Sequence, residues 1–160
     1  MAEKYLFITT WKIKAPLKDV WEAIYYSEEW PAWWKDFTSV TEIEKGDDQS
    51  IGSIRVYKLK SPLIYTLRFN LILTKRADQQ YLEGMAWGDL DGTGSWAFKE
   101  AAGTTEVKCT WHVATNISWM NAFACVLKPL FKYNHGLVMK NGAKALSKKL
   151  NAPIIEVILT

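Results

Sequence analysis

The sequence has few residues that carry nucleophilic, redox or metal chemistry: two cysteines, Cys109 and Cys125, and two histidines, His112 and His135. The cysteines lack CxxC spacing, so we expect buried reduced thiols. The histidines lie far apart on different predicted elements, without an acidic residue at ligand spacing, and this disfavours a metal site. No catalytic triad, Cys-His pair or phosphate-binding glycine motif is visible. We therefore expect no metal and no cofactor.

Long apolar runs are also absent, so the 160 residues contain no candidate transmembrane segment. Residues 1–4 lead straight into a strand pattern without a secretory apolar region, which predicts a soluble, cytoplasmic protein. The length favours a single domain over residues 1–160. The net charge is +3, and the charges read as dispersed along the chain, so we expect no nucleic-acid partner.

Aromatic residues, in contrast, are abundant: nine Trp, seven Tyr and six Phe. Side chains of this size carry a large apolar area and cannot all be hidden in an ordinary core of this length. The composition therefore predicts that some of them line a cavity.

The hydrophobic periodicity predicts mainly strands, followed by one long helix. Residues 5–14 alternate as a half-buried strand, and short helices are expected at 15–24 and 28–34. Six further strands are predicted at 37–45, 51–60, 64–76, 80–88, 94–100 and 105–115. Helical periodicity then runs over 119–150, with a kink or a helix start expected at Pro129. The tail 154–159 is an apolar run of strand type that the pattern does not place.

This order predicts an α+β fold in which seven antiparallel strands curve around the long C-terminal helix. That helix is the only predicted element long enough to cover one face of the sheet. With the two short helices after the first strand closing one end, a tapering cavity would remain between sheet and helix.

Several motifs resemble the polyketide cyclase/dehydrase branch of the START-like superfamily, also called SRPBCC or helix-grip. The resemblance implies that fold and a hydrophobic ligand site, but it does not imply catalysis, because relatives include enzymes, carriers and hormone receptors. The motifs are Trp11-x-Ile13-x-Ala15-Pro16-x-x-x-Val20-Trp21, Trp30-x-x-Trp33-Trp34, Trp111-His112-Val113, Trp119-Met120-Asn121 and Asn134-His135-x-x-Val138-Met139.

Two amides, Asn134 and Asn141, fall on the apolar stripe of the long helix. A buried amide without a partner costs about 1–3 kcal/mol, so each needs a partner in the sheet, a water or a ligand. His135 falls at the edge of the stripe, either at the cavity rim or facing solvent, whereas His112 shares the wet face of its strand.

Glu83 is the third candidate for catalysis beside Asn134 and His135. The alternation around it does not decide which face points inward. If Glu83 points in, burial would raise its pKa and make it the best general acid or base in the chain.

The predicted ligand-binding wall combines aromatic strand residues with the stripe of the long helix. Stacking on nucleic-acid bases is the competing use of such rings, but it needs a basic groove. The wall comprises Trp11, Trp33, Trp34, Trp87, Trp96, Trp111, Trp119, Phe123, Leu127, Asn134, Val138 and Asn141.

Three functions remain open at this point. The first is binding of a small lipid-like, isoprenoid or polycyclic aromatic molecule. The second is a cyclase or dehydratase reaction that uses Asn134, His135 and Glu83. The third is a protein-interaction domain without a ligand, for which a filled interior would be the distinguishing observation. The ligand and the oligomeric state are not encoded in any motif.

Overall fold

A curved, unclosed antiparallel sheet of eight strands forms the body of the protein. The structure is a computed structural model that describes residues 4–62 and 65–160. The strands lie in the order β2-β3-β4-β5-β6-β7-β1-β8. They are β1 (Lys4–Ile13), β2 (Phe37–Glu44), β3 (Ile54–Lys60), β4 (Thr66–Ala77), β5 (Tyr81–Gly88), β6 (Leu90–Ala101), β7 (Thr104–Thr115) and β8 (Ile154–Leu159).

Two short helices follow β1, a third follows β7, and a long helix then crosses the concave face of the sheet. They are α1 (Leu17–Tyr25), α2 (Trp30–Trp33), α3 (Ser118–Ala122) and α4 (Ala124–Leu150), with a 3-10 turn at Ser27–Glu29 before α2. The predicted α+β helix-grip architecture is therefore confirmed.

The long C-terminal helix is interrupted at Phe123 rather than at Pro129. Phe123 has φ −110° and ψ 19°, outside the helical region, so α3 and α4 are separate helices. Pro129 lies inside α4 on an exposed position, where water can satisfy the carbonyl that its missing N–H leaves free.

The eighth strand is the apolar tail that the sequence pattern left unplaced. It pairs antiparallel with β1, with Trp11 opposite Val157. The predicted strand over 51–60 begins only at Ile54, and the one over 94–100 extends to Leu90–Ala101. The expected strand start at Ile64 lies outside the described residues.

The core is built around tryptophans where α2, α4 and the sheet meet. Trp34 is 1% exposed, and its ring centroid lies 5.7 Å from that of Trp11 and 5.1 Å from that of Trp30. Its indole Nε1 donates a hydrogen bond of 3.1 Å to the carbonyl of Val138 on α4. Gly142, one helical turn further, leaves room for the same ring.

We expect Gly142→Ala to destabilise the protein by about 1–3 kcal/mol, the usual cost of overpacking. A Cβ at this position would overlap the six-membered ring of Trp34, which is enclosed on all sides. This clash outweighs the gain of about 1 kcal/mol in helix propensity that Ala offers over Gly. Urea denaturation of the variant measures the difference.

Gly136→Ala is the matched control on the same helix. Its Cβ would meet only the terminal Cδ1 of Leu159, at 3.1 Å, on the edge strand β8. That end of a flexible side chain can move, so we expect Gly136→Ala to be neutral or slightly stabilising. Equal destabilisation by both substitutions would contradict the role assigned to Trp34.

Candidate functional site

A cavity of about 160 Å³ lies between the concave face of the sheet and α4. Its lining is mostly aromatic and aliphatic and comes from every strand except β8, with β2 contributing Phe37 alone. An apolar cavity of about 150 Å³ can hold benzene, whereas drug-sized ligands occupy about 300–1,000 Å³. The space is therefore large enough for a small ring compound.

Strand β4 supplies one wall of the cavity through strict alternation. The lining residues are Tyr65, directly before the strand, and the inward-facing Leu67, Phe69, Leu71 and Leu73. The intervening side chains point to the convex face, as the period of two predicts.

One end of the cavity is polar and contains Arg55, which the sequence reasoning missed. Its Nη1 donates to the carbonyl of Tyr25 at 2.9 Å and to the hydroxyl of Ser27 at 3.0 Å. Its Nε lies 3.3 Å from Glu28 and 3.4 Å from Glu42. The guanidinium thus enters the interior already paired with two carboxylates.

A sequence signal for Arg55 did exist. Arg55 alternates along β3 with Tyr57 and Leu59, so all three point to the same face, and all three line the cavity. The hydroxyls of Tyr57 and Ser27 are 2.8 Å apart, and burial raises the pKa of Tyr57. This end is therefore a closed network of neutral hydroxyls around one paired cation.

Asn134 lies on the cavity wall and joins α4 to the sheet. Its Oδ1 accepts a hydrogen bond of 2.6 Å from the Ser61 hydroxyl, and its Nδ2 donates one of 2.7 Å to the Tyr65 hydroxyl. Ser61 and Tyr65 flank the connection between β3 and β4, and the backbone N–H of Ser61 donates to the carbonyl of Tyr65. The amide therefore has the hydrogen-bond partners that its burial requires, at the connection between two strands.

His135, the next residue, turns its ring to the cavity and stacks on Phe7 with centroids 4.3 Å apart. Its Nε2 is buried and has no hydrogen-bond partner among the described residues. Burial lowers the pKa of His135 to about 4, so the imidazole is neutral at pH 7. A neutral ring nitrogen at the wall of an apolar cavity can hydrogen-bond a ligand.

Five of the twelve predicted wall residues line the cavity, and seven do not. Those that do are Trp34, Trp96, Trp111, Asn134 and Val138. Those that do not are Trp11, Trp33, Trp87, Trp119, Phe123, Leu127 and Asn141.

Each residue outside the lining has its own physical reason for lying there. Trp11 points inward, but the rings of Trp34 and Trp96 cover it, each with its centroid 5.7 Å away. Trp87 is 41% exposed because its side chain points to the convex face of β5. Asn141 points toward α2 and β2, where its Nδ2 donates to the carboxylate of Asp36 at 3.1 Å.

The helix break explains the exposure of Trp119 and Phe123. Because α3 ends before Phe123, the helical register that the sequence extended from residue 119 does not hold across the junction. Trp119 and Phe123 are 45% and 61% exposed. Leu127 packs instead in a small cluster with Tyr5 and Phe131, and Trp33 packs at the edge of the main core.

Glu83 borders the cavity, but its carboxylate is held by two neighbours on β4 and β5. Tyr81 donates its hydroxyl proton at 2.5 Å, and the ammonium of Lys75 lies 3.1 Å away. Both hydrogen bonds lower the pKa of Glu83. The sequence leaves the facing of Glu83 open, and the raised pKa expected for an inward, buried carboxyl is not found, because these two contacts lower the pKa instead.

The remaining titratable candidates do not form a reactive cluster. Cys109 is buried, and burial raises the pKa of its thiol, but Cys125 is exposed rather than buried as expected. His112 is exposed on the convex face. Within residues 4–62 and 65–160, no three His, Cys, Asp or Glu side chains are grouped to hold a metal ion.

The sequence matches a known family over residues 7–152, described as polyketide cyclase / dehydrase and lipid transport. The chain belongs to this family. The resemblance drawn from the tryptophan motifs is thereby confirmed. No curated protein matches the sequence.

Several solved structures share the fold of this chain at low sequence identity. The Zhui aromatase/cyclase of Streptomyces sp. R1128 superposes with a TM-score of 0.75 at 12% identity, covering 93% of this chain and 94% of its own. TTHA0849 from Thermus thermophilus gives 0.73 at 14% identity, covering 91% and 99%. A START superfamily protein from Mycobacterium smegmatis gives 0.73 at 12% identity, covering 92% and 98%.

Because the family description includes lipid transport, the membrane-spanning potential of the helices matters. Across the described part of the chain, none of them has both the length and the apolar character needed to cross a bilayer.

Proposed function

We propose that this protein binds a small, uncharged, ring-containing hydrophobic molecule in the cavity between the sheet and α4. The observation that carries the proposal is the cavity itself, about 160 Å³ of space with a wall of aromatic and aliphatic side chains. Family membership supports it, since the family description includes cyclases, dehydrases and lipid transport.

The size of the cavity favours one or two fused rings over a long acyl chain. A volume of about 160 Å³ is close to that of an apolar cavity that holds benzene and is below the about 300–1,000 Å³ of pockets for larger ligands. A compact ring compound therefore fits with less rearrangement of the walls than a long acyl chain.

The polar groups of the wall favour a neutral ligand with a hydroxyl or carbonyl group. Arg55 already has two carboxylate partners, so a ligand carboxylate would have to compete with them. The Nε2 of His135 is a buried polar atom without a partner among the described residues, and the neutral ring can accept or donate one hydrogen bond. A phenol or ketone would satisfy it.

We expect 1-naphthol to stabilise the protein more than naphthalene or 1-naphthoate does. At a free concentration of 100 times Kd, a ligand specific for the folded state adds about 2.7 kcal/mol, which raises Tm by roughly 5–10 °C for a chain of this length. Differential scanning fluorimetry gives the ranking, and native mass spectrometry gives the stoichiometry.

A matched pair of variants on α4 tests the location. Val138→Phe fills the cavity from a lining position, whereas Val126→Phe adds the same ring at a position that is 76% exposed. Val138→Phe should abolish the stabilisation and Val126→Phe should preserve it. If no hydrophobic compound stabilises the wild type, or if both variants behave alike, the proposal fails.

A cyclase or dehydratase activity is the second candidate, and the placement of His135 favours it specifically. A neutral imidazole beside a cavity can take a proton from a bound poly-β-keto or hydroxy-acyl substrate, although its low pKa makes it a weak base. Asn134 could orient the substrate only if a substrate group replaced its hydrogen bond to Ser61 or to Tyr65. Loss of turnover in His135→Gln, with ligand binding retained, would support this reading.

The ligand-free interaction domain requires a filled interior, and the open cavity does not favour it.

A further inference from the structure

Charge is segregated along the chain rather than dispersed, contrary to the expectation from the sequence. Residues 107–155 contain seven lysines and no aspartate or glutamate. The rest of the chain carries 13 basic and 17 acidic residues. The small net charge of +3 therefore hides a strongly basic segment that includes α3 and α4.

The lysines of α4 are exposed to solvent. They are Lys128, Lys132, Lys140, Lys144, Lys148 and Lys149. Helical spacing places Lys140 and Lys144 within about 40° of Val126 and Tyr133, on one outward stripe. A flat surface could therefore contact all four side chains at the same time.

Exposed apolar side chains are also concentrated around the junction of α3 and α4. Trp119, Phe123, Val126 and Tyr133 are all more than 40% exposed, although each is a large hydrophobic residue. Single exposed apolar side chains are common, but four within residues 119–133 indicate a contact site. We call these four residues together with Lys140 and Lys144 the α3–α4 face.

This face adjoins the cavity. Met120, which directly follows Trp119, is 1% exposed and lines the cavity. Phe131, two residues before the exposed Tyr133, lines it from α4. A surface bound to the α3–α4 face would therefore be separated from the ligand space by the thickness of one helix, about 10 Å.

We propose that the α3–α4 face docks on the surface of an anionic lipid bilayer. Trp and Phe side chains favour the interface between headgroups and acyl chains, and lysines beside them attract anionic headgroups. The strength of such surface binding grows with both the apolar area buried and the attraction to anionic lipids. A second copy of this chain would bring the same positive charge, and nucleic acid offers no apolar layer for Val126 and Phe123.

Vesicle co-sedimentation of the full-length protein tests the docking. We expect binding to vesicles of phosphatidylcholine with about 30% phosphatidylglycerol, weak binding to phosphatidylcholine alone, and a strong decrease at about 0.5 M salt. The double variant Lys140→Gln/Lys144→Gln should lower the partition coefficient about 25-fold, at about fivefold per charge. Trp119→Ser/Phe123→Ser should lower binding at least about tenfold and reduce its dependence on vesicle curvature.

Lys45→Gln/Lys58→Gln is the matched control, because both lysines are exposed on the β2–β3 hairpin and the net charge changes equally. This control should keep at least half of the wild-type partition coefficient. If both lysine pairs lowered the partition coefficient equally, the effect would depend on net charge alone, and the proposal would be overturned. Absence of vesicle binding, or tight binding of a DNA duplex that the α4 variants weaken, would overturn it as well.

Discussion

Replacing Trp34 by alanine should lower the free energy of unfolding by about 3–5 kcal/mol, as is usual for a buried tryptophan. The side chain is 1% exposed and contacts the rings of Trp11, Trp30 and Phe37. Its removal also deprives the carbonyl of Val138 of the indole donor. Because Trp34 lies between α2, α4 and the sheet, the resulting space would join the ligand cavity.

Chemical denaturation of three variants separates the contributions. Trp34→Phe keeps an aromatic ring but loses the indole N–H, so it should fall between wild type and Trp34→Ala. Trp87→Ala deletes the same side chain from the convex face, where it is 41% exposed, and should cost roughly 1 kcal/mol or less. Similar losses for Trp34→Ala and Trp87→Ala would show that Trp34 does not organise the core.

The sheet was predictable where one face is apolar and the other polar. On β4, alternation identified the inward set from Leu67 to Leu73 because Arg68 and Asn70 mark the opposite face. On β5, alternation could not decide, since Gly84 and Ala86 are inward while the larger Met85 and Trp87 are outward. Size and hydrophobicity favoured Trp87 as an inward residue, but Gly84 lines the cavity and Trp87 lies on the convex face.

The inward face of the helix was predictable only in part. Asn134 and Val138 line the cavity as the periodicity predicts, whereas Asn141 on the same helix bonds to Asp36 instead. Trp119 and Phe123 do not line it, because the helix breaks at Phe123, where neither glycine nor proline in the sequence signals a break. The position of β8 required tertiary pairing with β1, which no local pattern encodes.

The polar end of the cavity was missed for a different reason. A charged side chain at an inward strand position contradicts the rule that charges stay outside unless they are paired. The pairing of Arg55 depends on Glu28 and Glu42, which come from two other elements. The only sequence signal was the spacing of Arg55 and Tyr57, which lie two residues apart on β3 and therefore point to the same face. The two carboxylate partners cannot be identified from a single sequence.

Acidification should weaken the protein through His135 by about 3 kcal/mol between about pH 6.5 and pH 4. An unfolded histidine has a pKa near 6.5, whereas burial lowers the pKa of folded His135 to about 4. Between these values the unfolded state binds a proton that the folded state does not, so stability falls by about 1.4 kcal/mol per pH unit. Above about pH 6.5 both states are neutral and this contribution is constant.

His135→Phe isolates the effect, because the new ring can still stack on Phe7 but cannot titrate. Urea denaturation from about pH 7.5 to 4 should show a stability difference between variant and wild type that grows in favour of the variant as the pH falls. Carboxylates titrating in the same range contribute equally to both proteins and cancel. His112→Gln, at an exposed position, should reproduce the wild-type profile. Parallel profiles for wild type and His135→Phe would mean that the imidazole is not buried in the neutral form, and the hydrogen-bonding role proposed for its Nε2 would fall with it.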